Sequence, residues 1–316
     1  MVLPHSLLQK PDLHIPVDCV YGGFIVILRN ITRKPLFLNV CNTFPMFINP
    51  DKCVACANCV AVCPMEAIYI DTTLNRAVIN DDRCVECGNC YRGMSKEILN
   101  PPLVRLVRKI AKMLRFRFEP EPDICPTSAF EMNDLEMPRL IRRIFSDPTV
   151  EHASTGIKGR GTEEVKTNDV TGRIGPGEVG LTIEFGRPGV GVYFRDIQTM
   201  TLALAGTSAQ FETDNPVTHL MTDKSNGKLR QDILEEKVMS AIVELKTSLA
   251  EVEPILYTIS KVNKKIETVI TVGISTRCDE EGEDTLLAPL LDKLGHTVIR
   301  AKTNMGLGRI TNRIIV

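Results

Sequence analysis

Cys53-Val54-Ala55-Cys56-Ala57-Asn58-Cys59-Val60-Ala61-Val62-Cys63-Pro64 decides how the rest of the chain is read. Three cysteines recur at every third position, and a fourth follows after three intervening residues with a proline directly behind it. Four soft thiolates then crowd one short stretch of backbone. This spacing offers three ligands to a cubane iron–sulfur cluster and sends the fourth elsewhere. Zinc is the competing reading, because Cys-x-x-Cys pairs also build tetrahedral structural sites. A zinc site draws on two separated pairs, however, and not on three consecutive ligands with Cys-Pro close behind.

Working outward, Ile48-Asn49-Pro50-Asp51-Lys52-Cys53-Val54-Ala55-Cys56-Ala57-Asn58-Cys59 is answered by Ile79-Asn80-Asp81-Asp82-Arg83-Cys84-Val85-Glu86-Cys87-Gly88-Asn89-Cys90, identical at eight of twelve positions. Two copies imply two metal sites. Between them, Ala67-Ile68-Tyr69-Ile70-Asp71 and Arg76-Ala77-Val78-Ile79 run apolar around a polar turn, the pattern of a short hairpin. The second copy has Met94 where the first has Cys63, and a thioether is a poor substitute for a thiolate. Cys125-Pro126-Thr127-Ser128-Ala129-Phe130 repeats the frame of Cys63-Pro64-Met65-Glu66-Ala67-Ile68, which makes Cys125 the expected ligand and residues 94–124 a 31-residue insertion. If that Cys-Pro were fortuitous, one site would keep three thiolates and hold a three-iron or labile centre.

Residues 47–134 resemble the two-cluster bacterial-type [4Fe–4S] ferredoxins, from which Met94 and the insertion are departures. Ligation in that family is crossed, each Cys-Pro cysteine serving the other cluster. The resemblance therefore implies two [4Fe–4S] clusters, one on Cys53, Cys56, Cys59 and Cys125, the other on Cys84, Cys87, Cys90 and Cys63. It also implies that a strand near 129–133 pairs with 46–49, and that the domain, spanning 46–136, relays single electrons.

The 316 residues, 43% hydrophobic, suffice for two domains with cores of their own. Lys plus Arg number 38 against 39 Asp plus Glu, and tryptophan is absent, so neither a global basic bias nor a base-stacking platform points to nucleic acid. Seven of the eleven cysteines lie between positions 53 and 90, a metal-site distribution and not a disulfide framework. Thiolates reserved for iron need a reducing compartment. The apolar run 23–28 is too short for a signal peptide core or a membrane span, so a cytoplasmic location is expected.

Residues 1–45 read as a poorly defined extension: Pro4, Pro11, Pro16 and Pro35 interrupt helices, 24–28 is strand-like, and Cys19, Cys41, His5 and His14 lack ligand spacing. Closure of the ferredoxin module at 46–49 would make this extension dispensable. Within the insertion, Leu103, Leu106, Val107, Ile110, Met113 and Leu114 share one helical face and Arg105, Arg108, Lys109 and Lys112 the other. The expected helix packs its apolar side and leaves the basic side to solvent, to an acidic redox partner or to a membrane surface.

A second helix near 137–145 carries Arg139, Arg142 and Arg143, and glycines crowd the stretch that follows; together 137–179 reads as a helix and linker. From 180 to 316 strands are expected at 181–185, 209–212, 218–222, 268–275 and 297–302, and helices at 195–205, 233–249, 254–265 and 285–294. The whole is thus α+β: a ferredoxin module with a helical insertion, then an α/β sandwich of ferredoxin-like (ACT-like) element order that binds a small effector or a partner. The turns Gly186-Arg187-Pro188-Gly189-Val190-Gly191 and Asn304-Met305-Gly306-Leu307-Gly308-Arg309 offer anion cradles or plain tight turns. His219, His296 and Cys278 assemble no catalytic constellation, and the acids after Cys278 make it a poor nucleophile. An electron carrier is the leading expectation; an accessory or catalytic subunit of an anaerobic oxidoreductase and a redox or metabolite sensor are the alternatives.

Overall fold

A computed structural model describes residues 20–27, 46–116, 125–156, 158, 172–187, 189–279, 281, 283–296 and 299–303. Cys19, Cys41, His5, His14, the 304–309 turn and most of the glycine-rich stretch lie outside the described residues.

The chain enters through strand β1 (Val20–Ile27) and then builds the cysteine-rich module. Strand β2 (Met46–Ile48) is followed by helix α1 (Asn58–Val62), strands β3 (Ile68–Asp71) and β4 (Arg76–Ile79), helices α2 (Asn89–Arg92) and α3 (Pro101–Met113), and strand β5 (Phe130–Met132). In β3, Ile68 is buried and Tyr69 exposed, the alternation of a strand with one face to a core. Its hairpin to β4 closes through an Asx turn in which Asp71 Oδ1 accepts the N–H groups of Thr73 and Leu74, both at 2.8 Å. The matching ladder is β2–β5, antiparallel with Met46 opposite Met132 and Ile48 opposite Phe130, as the ferredoxin resemblance implies. Helix α4 (Leu140–Ser146) follows.

The remainder comprises β6 (Glu178–Phe185), β7 (Val192–Tyr193), α5 (Phe194–Ala205), β8 (Gln210–Phe211), α6 (Pro216–His219), β9 (Met221–Asp223), β10 (Lys228–Leu229), β11 (Lys237–Val238), β12 (Ala241–Ser248), α7 (Val252–Asn263), β13 (Ile270–Arg277), α8 (Leu287–Lys293) and β14 (Ile299–Thr303). Six strands form one sheet in the order β14-β1-β13-β6-β12-β8, every neighbouring pair antiparallel. Val179, Leu181, Ile183 and Phe185 alternate along β6 onto one face, where they meet Ile197, Met200 and Leu204 of α5 and Ile255 and Ile259 of α7. That contact is the main core.

Three sequence expectations change. The helix expected at 233–249 is strand β12 preceded by the short β11, because Ile242, Val243 and Leu245 are buried on both sides of the sheet and no period-2 signal survives in the sequence. The strand expected at 218–222 is divided between α6 and β9, so His219 ends a helix. Most consequentially, β1 is an interior strand, paired with β13 from Val20–Arg277 to Ile27–Ile270 and with β14 on its other side. The segment before Met46 therefore contributes to the sheet, and the cysteine-rich module interrupts that sheet's strands in sequence.

Candidate metal centre

The two copies of the repeat fold alike. The N–H of Cys53 donates to the Asn49 carbonyl at 2.9 Å and that of Cys84 to the Asn80 carbonyl at 3.0 Å. Asn49 and Asn80 donate in turn to the carbonyls of Ala129 and Ala67, at 2.8 and 2.7 Å, so each ligand loop hangs from a turn that follows a Cys-Pro. Each loop enters the left-handed region twice, at Ala55 and Ala57 (φ 51° and 66°) and at Glu86 and Gly88 (φ 57° and 71°). Such backbone, uncommon outside glycine, gathers N–H groups into an anion-favouring concavity. The N–H groups of Asn58 and Asn89 accordingly favour the thiolates of Cys56 and Cys87.

Cys63 and Cys125 are equivalent as well. Three residues beyond each, Glu66 and Ser128 take φ of 51° and 49°. One residue further, the N–H groups of Ala67 and Ala129 donate to Cys63 Sγ and Cys125 Sγ, both at 3.2 Å. Hydrogen bonds to sulfur of this kind stabilise a thiolate and set the potential of an iron–sulfur centre. Cys125 also pairs with Met94 as a parallel bridge, and the Ser95 N–H donates to the Cys125 carbonyl at 3.0 Å. The insertion leaves and rejoins the module at one point.

The thiols fall into two sets by the fields they exert on one another. Burial first, and then Cys56, Cys53 and Cys125, push Cys59 up to about 12. Cys56 is raised by burial and further by Cys125 and Cys53. In the second set burial, then Cys87 and Cys63, push Cys90 up to about 12. Cys87 is raised by burial and by Cys63, and Cys84 by burial, Glu86 and Cys90. The structure thus brings Cys125 to the first repeat and Cys63 to the second.

Crowded, buried thiols are costly to deprotonate alone, and a cationic metal centre removes that cost. Cys63, Cys84, Cys87 and Cys90 line a common cavity with Met46 and Met65. Among the described residues no three Cys, His, Asp or Glu side chains converge closely enough to share a single ion. Thiols gathered in two sets, with the Ala67 and Ala129 N–H groups aimed at sulfur, fit iron–sulfur ligation.

Sequence reasoning missed how the second set is fastened to the sheet. Arg142, on α4, donates to the carbonyls of Asp81 and Cys84 at 2.9 and 2.8 Å and pairs with Glu236. Ser146 Oγ accepts the Met239 N–H at 2.9 Å, while Ile141 and Phe145 enter the main core. The helix expected near 137–145 forms as α4, and it is a staple. The signal available was Ile141 and Phe145 at i, i+4 beside Arg139 and Arg142 on a second face.

Helix α3 forms where expected, with Asn100 Oδ1 accepting the Leu103 N–H at 3.2 Å as its N-cap. Its orientation is the reverse of the expected one. Arg105 donates to the carbonyls of Pro50, Asp51 and Cys53, and Arg108 to that of Ala55, whereas Leu103, Leu106, Val107, Ile110 and Met113 are exposed. Carbonyls of the tightly turned ligand loop need donors, and guanidinium groups supply them. Only Lys109 and Lys112 of the four expected docking cations are exposed.

Among the described residues the remaining candidates assemble no site. Gly186 (φ 87°) makes a tight turn: its carbonyl accepts the N–H groups of Val190 and Gly191, and a Cβ there would stand 2.5 Å from the Met239 carbonyl. His296 donates its N–H to Leu291, and Cys278 follows β13 outside both thiol sets. No described helix is long and apolar enough to cross a membrane.

No solved structure matches the chain. A ferredoxin of Mycolicibacterium smegmatis is 36% identical over 56 residues, which are 18% of this chain and 35% of that protein, so the match spans about a third of its relative's length. Residues 45–93, which hold seven of the eight thiols described above, match the 4Fe-4S dicluster domain, and the cysteine-rich segment is of that type.

Proposed function

We propose that this chain is an electron-transfer protein holding two [4Fe–4S] clusters, one on Cys53, Cys56, Cys59 and Cys125 and one on Cys84, Cys87, Cys90 and Cys63. The observation that carries this reading is the equivalence of Cys63 and Cys125, each in the same turn with the same N–H···S bond and each beside the other half's thiols. Bound there, the clusters would supply one-electron chemistry. The protein's own part is ligation, burial and hydrogen bonding to sulfur. A reducing, cytoplasmic setting suits thiols kept free for iron.

The strand order β13-β6-β12-β8, with α5 and α7 on one face, supports a ferredoxin-like split βαβ sandwich of the ACT-like kind for the second unit. Its role is to bind a partner or small effector next to the second thiol set. Arg142, shared between that set's loop and Glu236, favours a sensor reading as the second choice, since any movement of the loop is felt in the sandwich. Anaerobic reconstitution tests the first reading: about eight iron and eight sulfide per chain are expected from two four-iron clusters. A content of half that, or a three-iron resonance in the wild-type protein, sinks it.

A further inference from the structure

The internal repeat supplies its own control. Position 55 in the first loop is alanine, and the equivalent position in the second is Glu86, with nearly the same φ (51° and 57°). Glu86 is 1% exposed. Its Oε1 lies 3.6 Å from Cys84 Sγ, and Arg139 holds that oxygen at 2.7 Å while also pairing with Asp81. Its Oε2 is buried without a hydrogen-bond partner. Asp147, paired with Arg92, adds a second carboxylate beside Cys87. Around this set three guanidinium groups (Arg92, Arg139, Arg142) face four carboxylates (Glu86, Asp81, Asp147, Glu236).

The first set is surrounded differently. Arg105 and Arg108 lie on the carbonyls of its loop, and no carboxylate among the described residues forms an ion pair with either. Arg108 favours the Cys56 thiolate. An electron added to a thiolate-bound centre adds negative charge, so a nearby carboxylate opposes it and a nearby guanidinium favours it. Glu86 is fully buried, so its field is poorly screened, whereas Arg105 and Arg108 are half-buried and water and salt weaken theirs more.

Resting on the two-cluster reading above, we propose that Glu86 makes the Cys63–Cys84–Cys87–Cys90 centre the lower-potential one, and that Arg105 and Arg108 make the Cys53–Cys56–Cys59–Cys125 centre the higher. A single electron entering the chain then settles on the second-named centre. The step is an exchange within one molecule: the electron lost by one centre is the electron gained by the other, and no proton or co-reactant is required. Its favoured direction runs away from the sheet, against which the lower-potential centre is fastened by Arg142 and Glu236, and toward α3.

Anaerobically reconstituted full-length protein, its iron counted first, is titrated potentiometrically and followed by electron paramagnetic resonance. Two reduction waves are expected. Glu86→Gln, which keeps the size of the side chain and a hydrogen bond to Arg139, raises the lower wave. Arg108→Gln lowers the upper one. Each changes the reduced-to-oxidised ratio of its own centre by about tenfold at fixed potential, about 59 mV for a one-electron couple. The proposal fails if two loaded centres give one unresolved wave, if Glu86→Gln moves the upper wave, or if neither substitution moves any. Should Glu86→Gln fail to load, the response of the upper wave to Arg108→Gln decides alone. Fewer than two clusters in the wild-type count overturns the underlying reading and the proposal together.

Discussion

Met94 and Cys125 lie side by side as a parallel backbone bridge. The residue that stands where a fourth cysteine is expected is therefore in contact with the cysteine that replaces it. It follows that the insertion is a detour and not a rearrangement. Deleting 94–124, so that Gly93 is followed by Cys125, is expected to preserve the full iron content, because it recreates the spacing of Cys59 to Cys63. Cys125→Ser in the intact chain should instead lower the iron content or yield a three-iron resonance. Iron analysis of the two variants side by side decides; a deletion that loses half its iron would mean α3 is needed for ligation.

Metal-free protein should become less stable as pH rises. Burial and neighbouring thiols hold Cys59 and Cys90 at about 12, above the ordinary thiol value of 9.0, so the folded chain binds their protons more tightly than the unfolded one. The stabilisation is fully present below about pH 9 and is lost as pH climbs toward about 12. Denaturant midpoints of the reduced, metal-free protein should fall across that window, and Cys59→Ala should flatten the slope. A midpoint independent of pH there contradicts the burial of these thiols.

Arg142 is expected to be a stability hot spot. Its guanidinium is shared by two carbonyls of the second ligand loop and by Glu236, all in a largely buried setting. Arg142→Ala leaves Glu236 without its cation and two carbonyls without a donor, at a cost of about 3–5 kcal/mol. Arg142→Lys should recover only part of this, since a point charge lacks the planar fork that reaches three acceptors. Chemical denaturation of the loaded protein measures both; equal stability of wild type and Arg142→Ala would remove α4 as the staple.

Truncation before residue 46 should damage the sheet even though it spares every thiol of the two sets. Removing β1 leaves β13 with an unpaired edge and β14 with no neighbour in the six-stranded order, and a bare edge invites aggregation. The shortened chain is expected to aggregate or to melt earlier than the full one in the same buffer. Unchanged solubility and melting would show that β13 tolerates becoming an edge.

What the sequence reveals follows the range of the interaction. Cys53, Cys56 and Cys59 are legible because their spacing is local, and Cys125 is legible because a Cys-Pro turn carries its own frame. Strand β12 is obscured because Glu235, Glu236 and Lys237 look helical and the residues that follow are buried on both faces. Strand β1 is legible as the strand-like run 24–28, but its place in the sheet is obscured because its partners, β13 and β14, lie near the other end of the chain. For α3, periodicity separates an apolar face from a basic one but cannot say which face turns inward. That choice is made by the carbonyls of Pro50, Asp51, Cys53 and Ala55, whose demand for donors no helical pattern displays.

The orientation of α3 can be tested by asking which face tolerates change. Leu106 is 54% exposed, so Leu106→Ser should alter stability by no more than about 0.5 kcal/mol, as exposed substitutions usually do. Arg105→Ala removes a donor from the carbonyls of Pro50, Asp51 and Cys53; Arg76 still reaches Pro50, and the half-buried Cys53 carbonyl is left unpaired, at a cost of about 1–3 kcal/mol. A helix packed through its apolar face predicts the opposite ranking, with Leu106→Ser costly and Arg105→Ala neutral. Unfolding of the two variants in urea separates the alternatives, and the loss in Arg105→Ala should be accompanied by faster release of iron from the first centre than from the second.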